Sequence, residues 1–135
     1  MQRIAAVETT ISDFANTPFS WGDADCMTFI CAYLTAAGCH PDDIRHGHWK
    51  SERAALRGVR QLGHDSLASL LDAYFERIPR IRARDGDLAL VKTADDWGGA
   101  AGLVAAHRVH AMGRDGLQRL PLQDVQIVWR PQCQK

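Results

Sequence analysis

The sequence predicts an α+β domain in which amino-terminal helices pack on a small antiparallel sheet. Apolar residues recur at helical spacing only in the first part of the chain. Short apolar runs separated by turn residues follow in the second part, as is typical of strands. Helices followed by strands indicate the α+β class. A chain of 135 residues is long enough for one core, so we expect a single domain over residues 1–135.

Four helices are predicted from apolar periodicity and capping residues. Asp25 is a suitable N-cap for the second helix, which carries many apolar residues and should be well buried. Ser51 opens the third helix, and Asp65 or Ser66 caps the fourth. The predicted helices cover residues 3–16, 26–37, 51–62 and 66–77.

Turn residues divide the second part of the chain into short strands. Asp85-Gly86-Asp87 is a turn signal before the apolar run 88–91, and the segment 113–116 is typical of a hairpin turn. Polar loops are expected at 39–50 and 93–99. The predicted strands cover residues 88–91, 101–112, 117–120 and 125–129.

Composition and charge exclude several classes of protein. Lys+Arg and Asp+Glu are equal at 16 each, which argues against a nucleic-acid binder with a basic stripe. No apolar run approaches the ~20 residues of a membrane span, and the first residues do not resemble a signal peptide. The cysteines show no C-x-x-C spacing, so we expect reduced thiols and no cofactor. They are Cys26, Cys31, Cys39 and Cys133.

Cys26 is the first candidate for chemistry because it stands where the second helix begins. A thiol at a helix N-terminus faces the positive end of the helix dipole, which favours the nucleophilic thiolate. A nucleophile also needs a base, for which the candidates are His107 and His110. In a continuous strand these two histidines face opposite sides, so at most one could point at Cys26. Alternatively, Cys26 is a buried structural residue and both histidines belong to a surface or hairpin.

Two polar segments are weaker candidates for a site. Residues 39–50 contain three histidines, Cys39 and two aspartates, but the spacing is not that of a metal site, and we expect a solvated loop without metal. Trp97 lies in a Gly-flanked loop and is either a contact surface or a core tryptophan. Asp25 is expected to cap the helix, while Trp21 and Gly22 pack and turn the chain before it.

These residues, over about positions 10 to 130, resemble the NlpC-type papain-like cysteine peptidases of cell-wall peptidoglycan. The chain is more similar to small phage and prophage tail proteins related to those peptidases. Their shared pattern is Phe-x-Trp-Gly-x-x-Asp-Cys, a short helix ending in Gly, a Gly-Asp-Leu strand start and a terminal Trp-Arg. The matching residues are Phe19, Trp21, Gly22, Asp25, Cys26, Gly38, Gly86, Asp87, Leu88, Trp129 and Arg130.

This chain departs from the peptidase pattern at the position of the catalytic histidine. In the peptidases the catalytic histidine begins the strand after Gly-Asp-Leu, in a pattern like His-Val-Gly-Ile-Tyr. The corresponding position in this chain falls near Ala100, at the start of Ala-Ala-Gly-Leu-Val. The segment around His110, Val-His-Ala, resembles a second, non-catalytic element of the same hairpin.

The resemblance therefore implies a tail-tip or baseplate component of a phage or prophage, made in the bacterial cytoplasm and located in the virion tail. If Cys26 is active, the implied activity is that of a cysteine endopeptidase or amidase on peptidoglycan peptides. If it is not, the implied role is structural, with a tail hub or other tail-tip proteins as partners and no nucleic acid or membrane span. A small amidase domain of a toxin system is a third class.

Overall fold

The computed structural model describes residues 2–39, 49–92 and 99–132. Within them the chain is an α+β structure in which the α-helices precede the strands. The helices are α1 (Arg3–Phe14), α2 (Cys26–Ala36), α3 (Glu52–Gln61) and α4 (Leu67–Asp72). The strands are β1 (Glu76–Ile78), β2 (Leu88–Val91), β3 (Ala100–Ala105), β4 (Arg108–Gly113), β5 (Gly116–Pro121) and β6 (Val125–Arg130).

The six strands form one sheet in the order β1-β6-β2-β3-β4-β5, and every neighbouring pair is antiparallel. The prediction of an α+β domain with an antiparallel sheet is therefore confirmed. Single 3₁₀ turns at Arg80–Arg82 and Leu122–Asp124 precede β2 and β6. The second turn belongs to the connection that carries the chain from the edge strand β5 back to β6 inside the sheet.

Local capping chemistry explains where α2, α3 and α4 begin. Asp25, Ser51 and Ser66 each accept a hydrogen bond at their side chain from a backbone N–H in the first turn of α2, α3 and α4. Such caps satisfy amides that have no partner within the helix. Ser66, rather than Asp65, is the cap of α4.

Two predicted elements are wrong. The fourth helix was expected to reach Arg77 but ends at Asp72, because residues 76–78 instead pair with β6 as strand β1. The strand expected over 101–112 is two strands, β3 and β4, joined by a turn at Ala106 and His107. Both turn residues have positive φ, 52° and 61°, as a two-residue type I′ hairpin requires. These residues lack the usual Asn-Gly signal, and alternating apolar residues continue on both sides of the turn.

The sheet buries both of its faces. One face packs against the helices in a cluster that includes Leu103, Met112 and Trp129, together with Phe29 and Leu34 of α2. The opposite face carries a smaller valine-rich cluster. The members of that second cluster are Ala89, Val91, Val104, Val109, Val125 and Val128, with Ile78, Ala83, Leu120 and Leu122 packed at its margin.

The cysteines do not all match the expectation of reduced thiols. Cys39 is disulfide-bonded, whereas Cys26 and Cys31 are in no disulfide. Cys133 lies outside the described residues. The expectation was wrong for Cys39 because tertiary structure, not C-x-x-C spacing, decides which thiols come within bonding distance. Among the described helices, none is long and apolar enough to cross a membrane.

Candidate functional site

The site predicted from the sequence is built on the first turn of α2. Cys26 is the first residue of that helix, and Asp25 is its N-cap. The Oδ1 atom of Asp25 accepts the backbone N–H of Thr28 at 2.8 Å, and the Thr28 hydroxyl oxygen accepts the N–H of Asp25 at 2.8 Å. This capping box fixes the first turn and holds the carboxylate in place beside the thiol.

The turn before α2 is closed by the same carboxylate. Gly22 has φ +88° and donates its N–H to the Oδ2 atom of Asp25 at 2.8 Å. The half-buried Trp21 packs edge-to-face on Phe19, with ring centroids 5.4 Å apart. Trp21 and Gly22 thus do the packing and turning expected of them, and both carboxylate oxygens of Asp25 accept backbone N–H groups that hold the loop on the helix.

The direction of α2 can be read from contacts at its far end. The Tyr33 hydroxyl lies 2.7 Å from the position that a Cβ on Gly86 would occupy, and the Gly86 N–H bonds to the carbonyl of Val104. Tyr33 therefore lies near the end of β3. Cys26 is seven residues earlier, about 10 Å back along the helix axis. Because α2 packs on β3 and β4, its amino end points toward the beginning of β3.

A second observation supports the same placement. The loop residues 15–19 before α2 share a cavity with Arg114 to Leu117, in and beside the β4–β5 turn. By the strand register, that turn is at the same end of the sheet as the beginning of β3. Ala100, the first residue of β3, packs against the core cluster that contains Cys26. The residue at the expected histidine position is thus a half-buried alanine that packs at the margin of this cluster and pairs directly with Val91, a member of the valine-rich cluster.

Gly102, which occupies the glycine position of the expected pattern, allows β3 and β4 to lie close together. A Cβ at Gly102 would lie 2.6 Å from Cγ1 of Val109 and 2.8 Å from the carbonyl oxygen of His110. Both distances are too short for real carbon contacts, so β3 and β4 need glycine at this position to approach each other as closely as they do.

His107 is not placed to be the base. It is exposed and stands in the β3–β4 turn, not within a strand, so the expectation that it alternates with His110 along one strand is wrong. Its positive φ of 61° is a conformation that histidine tolerates better than most residues. The turn lies about 20 Å along the strand from the beginning of β3, where the amino end of α2 points.

His110 is buried, at 7% exposed, and pairs directly with Leu103, so it lies on the helix-facing side of the sheet. Its Nε2 atom is 3.3 Å from the carbonyl oxygen of Ala105, and its Nδ1 atom has no hydrogen-bond partner among the described residues. Neither nitrogen therefore bonds to Cys26. Burial lowers the pKa of His110, opposed by the Ala105 carbonyl, so the ring stays neutral near pH 7.

Burial also limits the reactivity of Cys26, which is 6% exposed. Reactive cysteines lie in partly exposed, electropositive surroundings, whereas buried structural ones are inert. A cation does stand near the helix start, because the amine of Lys50 is 4.0 Å from Asp23 and packs against Gly22. Its side chain is 72% exposed, so its influence on the thiol is screened by solvent.

The remaining motif residues join parts of the fold. Asp87 of Gly-Asp-Leu is 1% exposed and accepts hydrogen bonds from Nε and Nη2 of Arg130 at 3.1 and 2.9 Å. Its Oδ2 atom also accepts the N–H of Arg84. Trp129 is fully buried and donates its indole N–H to Asp72 at 2.8 Å. These side chains tie β2 and β6 to the segments around them.

The sequence did not identify Asp72 as the partner of Trp129, or Tyr33 as the residue beside Gly86. Asp72 receives both Trp129 and a two-pronged contact from Arg77, and the Arg77 hydrogen bond is the largest cause of a pKa for Asp72 below its usual value. Burial raises the pKa of Tyr33 to about 12, so its hydroxyl stays protonated beside Gly86. Asp72 and Arg77 are only five residues apart in the sequence. Their contact was not expected because the helix predicted over 66–77 contained both of them.

Other candidates fall outside the described part of the chain. Trp97 and the histidines at 40–48 belong to the segments 93–98 and 40–48. Among the described residues, no group of three or more His, Cys, Asp or Glu side chains could hold a metal ion.

Comparisons with known proteins add a family and no activity. No curated protein sequence matches this chain. One family model, described as a domain of unknown function (DUF6950), matches residues 2–131.

Proposed function

The chain belongs to the DUF6950 family, and from that premise we propose that it is a phage or prophage tail-tip component with an NlpC-like fold and without hydrolase activity of its own. Its role is structural, in contact with a tail hub or other tail-tip proteins. The observation that carries this proposal is the first position of β3, where the pattern of the peptidases has histidine and this chain has Ala100.

Three features of the described residues support the loss of catalysis. The thiol of Cys26 is buried. His107 stands at the opposite end of the β3–β4 hairpin, and the Nε2 atom of His110 is bonded to Ala105. Neither of these two histidines is therefore placed to take the proton of the thiol, a transfer that a thiol nucleophile requires.

A second candidate is the cysteine hydrolase itself, on peptidoglycan peptides. The observation in its favour is the capped first turn of α2, which sets Cys26 at the positive end of the helix dipole. In this version the base comes from a histidine in 40–48, outside the described residues, or from a neighbouring subunit in the assembly.

The first experiment is muropeptide release from purified peptidoglycan by the wild-type protein and by Cys26→Ala. The proposal expects no release from either, with folding checked by circular dichroism. Cys26-dependent release would establish the hydrolase instead, and His107→Ala, His110→Ala and His48→Ala would then locate the base.

Substitution of Ala100, where the pattern of the peptidases has histidine, gives a sharper readout than activity alone. In Ala100→His, an imidazole near Cys26 should lower the pKa of its thiol, so alkylation by iodoacetamide at pH 6 to 7 should become faster. Ala100→Gln is the matched control, since it adds similar bulk without a titratable ring. Equal rates in both variants would show that the beginning of β3 does not face the thiol.

The tail assignment has its own test. Tail particles induced from a strain that carries this sequence should contain the protein by mass spectrometry, at constant stoichiometry to the tail hub. Its absence from purified particles would remove the tail-tip role, whatever the outcome of the hydrolase assay.

A further inference from the structure

The hydroxyl of Tyr33 is a polar group that the described part of the fold buries without a partner. Tyr33 is 2% exposed and belongs to the core cluster between the helices and the sheet. Its hydroxyl makes no hydrogen bond within residues 2–39, 49–92 and 99–132. Buried donors in native proteins are nearly always paired, because an unpaired one costs free energy. This hydroxyl is therefore suited to an acceptor from outside the chain.

The hydroxyl is not sealed inside the core. Among the described residues, the fully enclosed side-chain atom that lacks a hydrogen bond is Nδ1 of His110. The Tyr33 oxygen is not such an atom, so it keeps some contact with solvent although the rest of the residue is buried. A ligand at the surface can therefore reach it.

Gly86 brings the hydroxyl of Tyr33 beside an arginine. A Cβ on Gly86 would lie 2.7 Å from this hydroxyl and 2.5 and 2.6 Å from Cγ and Cδ of Arg3. Both side chains thus cover the same point of the backbone, which only glycine permits, here at φ +97°. The guanidinium of Arg3, which begins one bond beyond Cδ, is thereby held next to the hydroxyl.

A second cation comes from the turn before β2. Burial raises the pKa of Tyr33 to about 12, and the charges of Arg3 and Arg84 oppose that rise. Both guanidiniums therefore lie close enough to act on the hydroxyl. Neither forms an ion pair or a side-chain hydrogen bond with any residue that the structure describes.

The acidic side chains of the same turn do not cancel these cations. Asp87 acts on Tyr33 in the opposite direction, but two hydrogen bonds join its carboxylate to Arg130. Asp85 is the other acid, and its Oδ1 atom accepts the N–H of Ala106. One carboxylate without an ion pair is therefore present against two such guanidiniums.

Two more arginines make this end of the sheet positive. Arg108 pairs with the last residue of β3, and Arg119 pairs with His110 on the next strand. Burial lowers the pKa of His110, and the charges of Arg119 and Arg108 lower it further. Gly86 bonds to the carbonyl of Val104 at the same end of β3. The field around the hydroxyl therefore favours an anion.

Helix α1 adds backbone donors at the position of Arg3. Arg3 is the first residue of this 12-residue helix, and the N-cap Gln2 makes no side-chain hydrogen bond to the first turn. The first N–H groups of a helix have no intrahelical partner and lie at the positive end of its dipole. Such an end is a binding site for phosphate and other anions.

We propose that this end of the molecule binds a phosphate group, with the Tyr33 hydroxyl and the guanidiniums of Arg3 and Arg84 as donors. Two cations match the charge of a phosphate group, about −1.5 to −2 at pH 7, better than the single charge of a carboxylate. The guanidinium fork also fits phosphate oxygens. The site is independent of the tail-tip role and of Cys26, since it rests on none of the residues that carry them.

The test is isothermal titration calorimetry of the full chain with inorganic phosphate, at neutral pH and constant ionic strength. Glycerol phosphate and acetate are the comparison ligands. Phosphate should bind the wild-type protein about tenfold or more tightly than acetate does. Glycerol phosphate that binds at least as well as phosphate assigns the site to a phosphate monoester, and weaker binding assigns it to the free ion.

Tyr33→Phe is the sharpest variant because it removes the hydroxyl alone. The hydroxyl has no partner among the described residues, so this variant should unfold at the same urea concentration as wild type or a higher one. Its affinity for phosphate should nevertheless fall about tenfold. Arg84→Gln should lose at least as much affinity. Arg114→Gln, exposed and unpaired at the opposite end of β4, is the matched control and should bind like wild type.

Four results would each overturn the proposal. They are a wild-type protein that does not bind millimolar phosphate, a Tyr33→Phe variant that binds it as tightly as wild type, and acetate that binds more tightly than phosphate. The fourth is an equal loss of affinity in Arg84→Gln and Arg114→Gln, which would mean that net charge rather than this site attracts the ion.

Discussion

The buried ion pair between Asp87 and Arg130 should be a principal determinant of stability. The two side chains are 2% and 19% exposed, and two hydrogen bonds join them. Removing one partner of such a pair leaves an uncompensated charge in the interior, which costs about 3–5 kcal/mol. For a domain of this size, that corresponds to a fall in melting temperature of roughly 10–20 °C.

The structure also predicts which of the two partners costs more stability when it is replaced. In Asp87→Asn the guanidinium that remains is partly exposed and still donates to the carbonyl of Arg82. In Arg130→Met the carboxylate that remains is almost fully buried, and among the described residues its other hydrogen-bond donor is the N–H of Arg84. Arg130→Met should therefore destabilise the protein more than Asp87→Asn does.

Urea denaturation of the wild type, the two single variants and the double variant tests this reasoning. The double variant should be less destabilised than the sum of the single variants, because the second change removes the charge that the first one left unpaired. Additive free energies would refute the argument, since they would mean that the two side chains do not stabilise each other.

Three further predictions follow from single residues. His110 has a pKa below 6.5 in the folded protein, so it binds a proton more readily when the chain is unfolded. Its contribution to stability should therefore be present above pH 6.5 and be lost as the pH falls through the folded pKa. The slope is at most about 1.4 kcal/mol per pH unit, and urea midpoints between pH 7.5 and 5 should depend less on pH in His110→Phe. Gly102→Ala should destabilise the protein by about 1–3 kcal/mol through its clash with Val109, and a melting temperature equal to wild type would show that β3 and β4 can separate. Asp25→Ala should cost about 1 kcal/mol or more by removing the cap of α2, with Asp25→Asn as the control that retains capping, and equal urea midpoints for the two variants would contradict the capping role.

Much of the fold could be predicted because its signals are local. The caps of α2 and α3 and the apolar run of β2 each depend on a few adjacent residues, and the structure has them where the sequence predicted them. The end of α4 could not be predicted, because residues 76–78 are a strand only through pairing with β6, some fifty residues later.

The candidate site likewise has some features that local sequence predicts and others that depend on tertiary structure. The sequence determined that Cys26 begins a helix capped by Asp25, that a strand begins close to Ala100, and that the net charge is zero. Only the tertiary structure decided that His107 lies in a turn, that His110 bonds to Ala105, and that Asp87 pairs with Arg130. Caps and periodicity act within one or two helical turns, whereas strand register and ion pairs join residues that only the folded chain brings together.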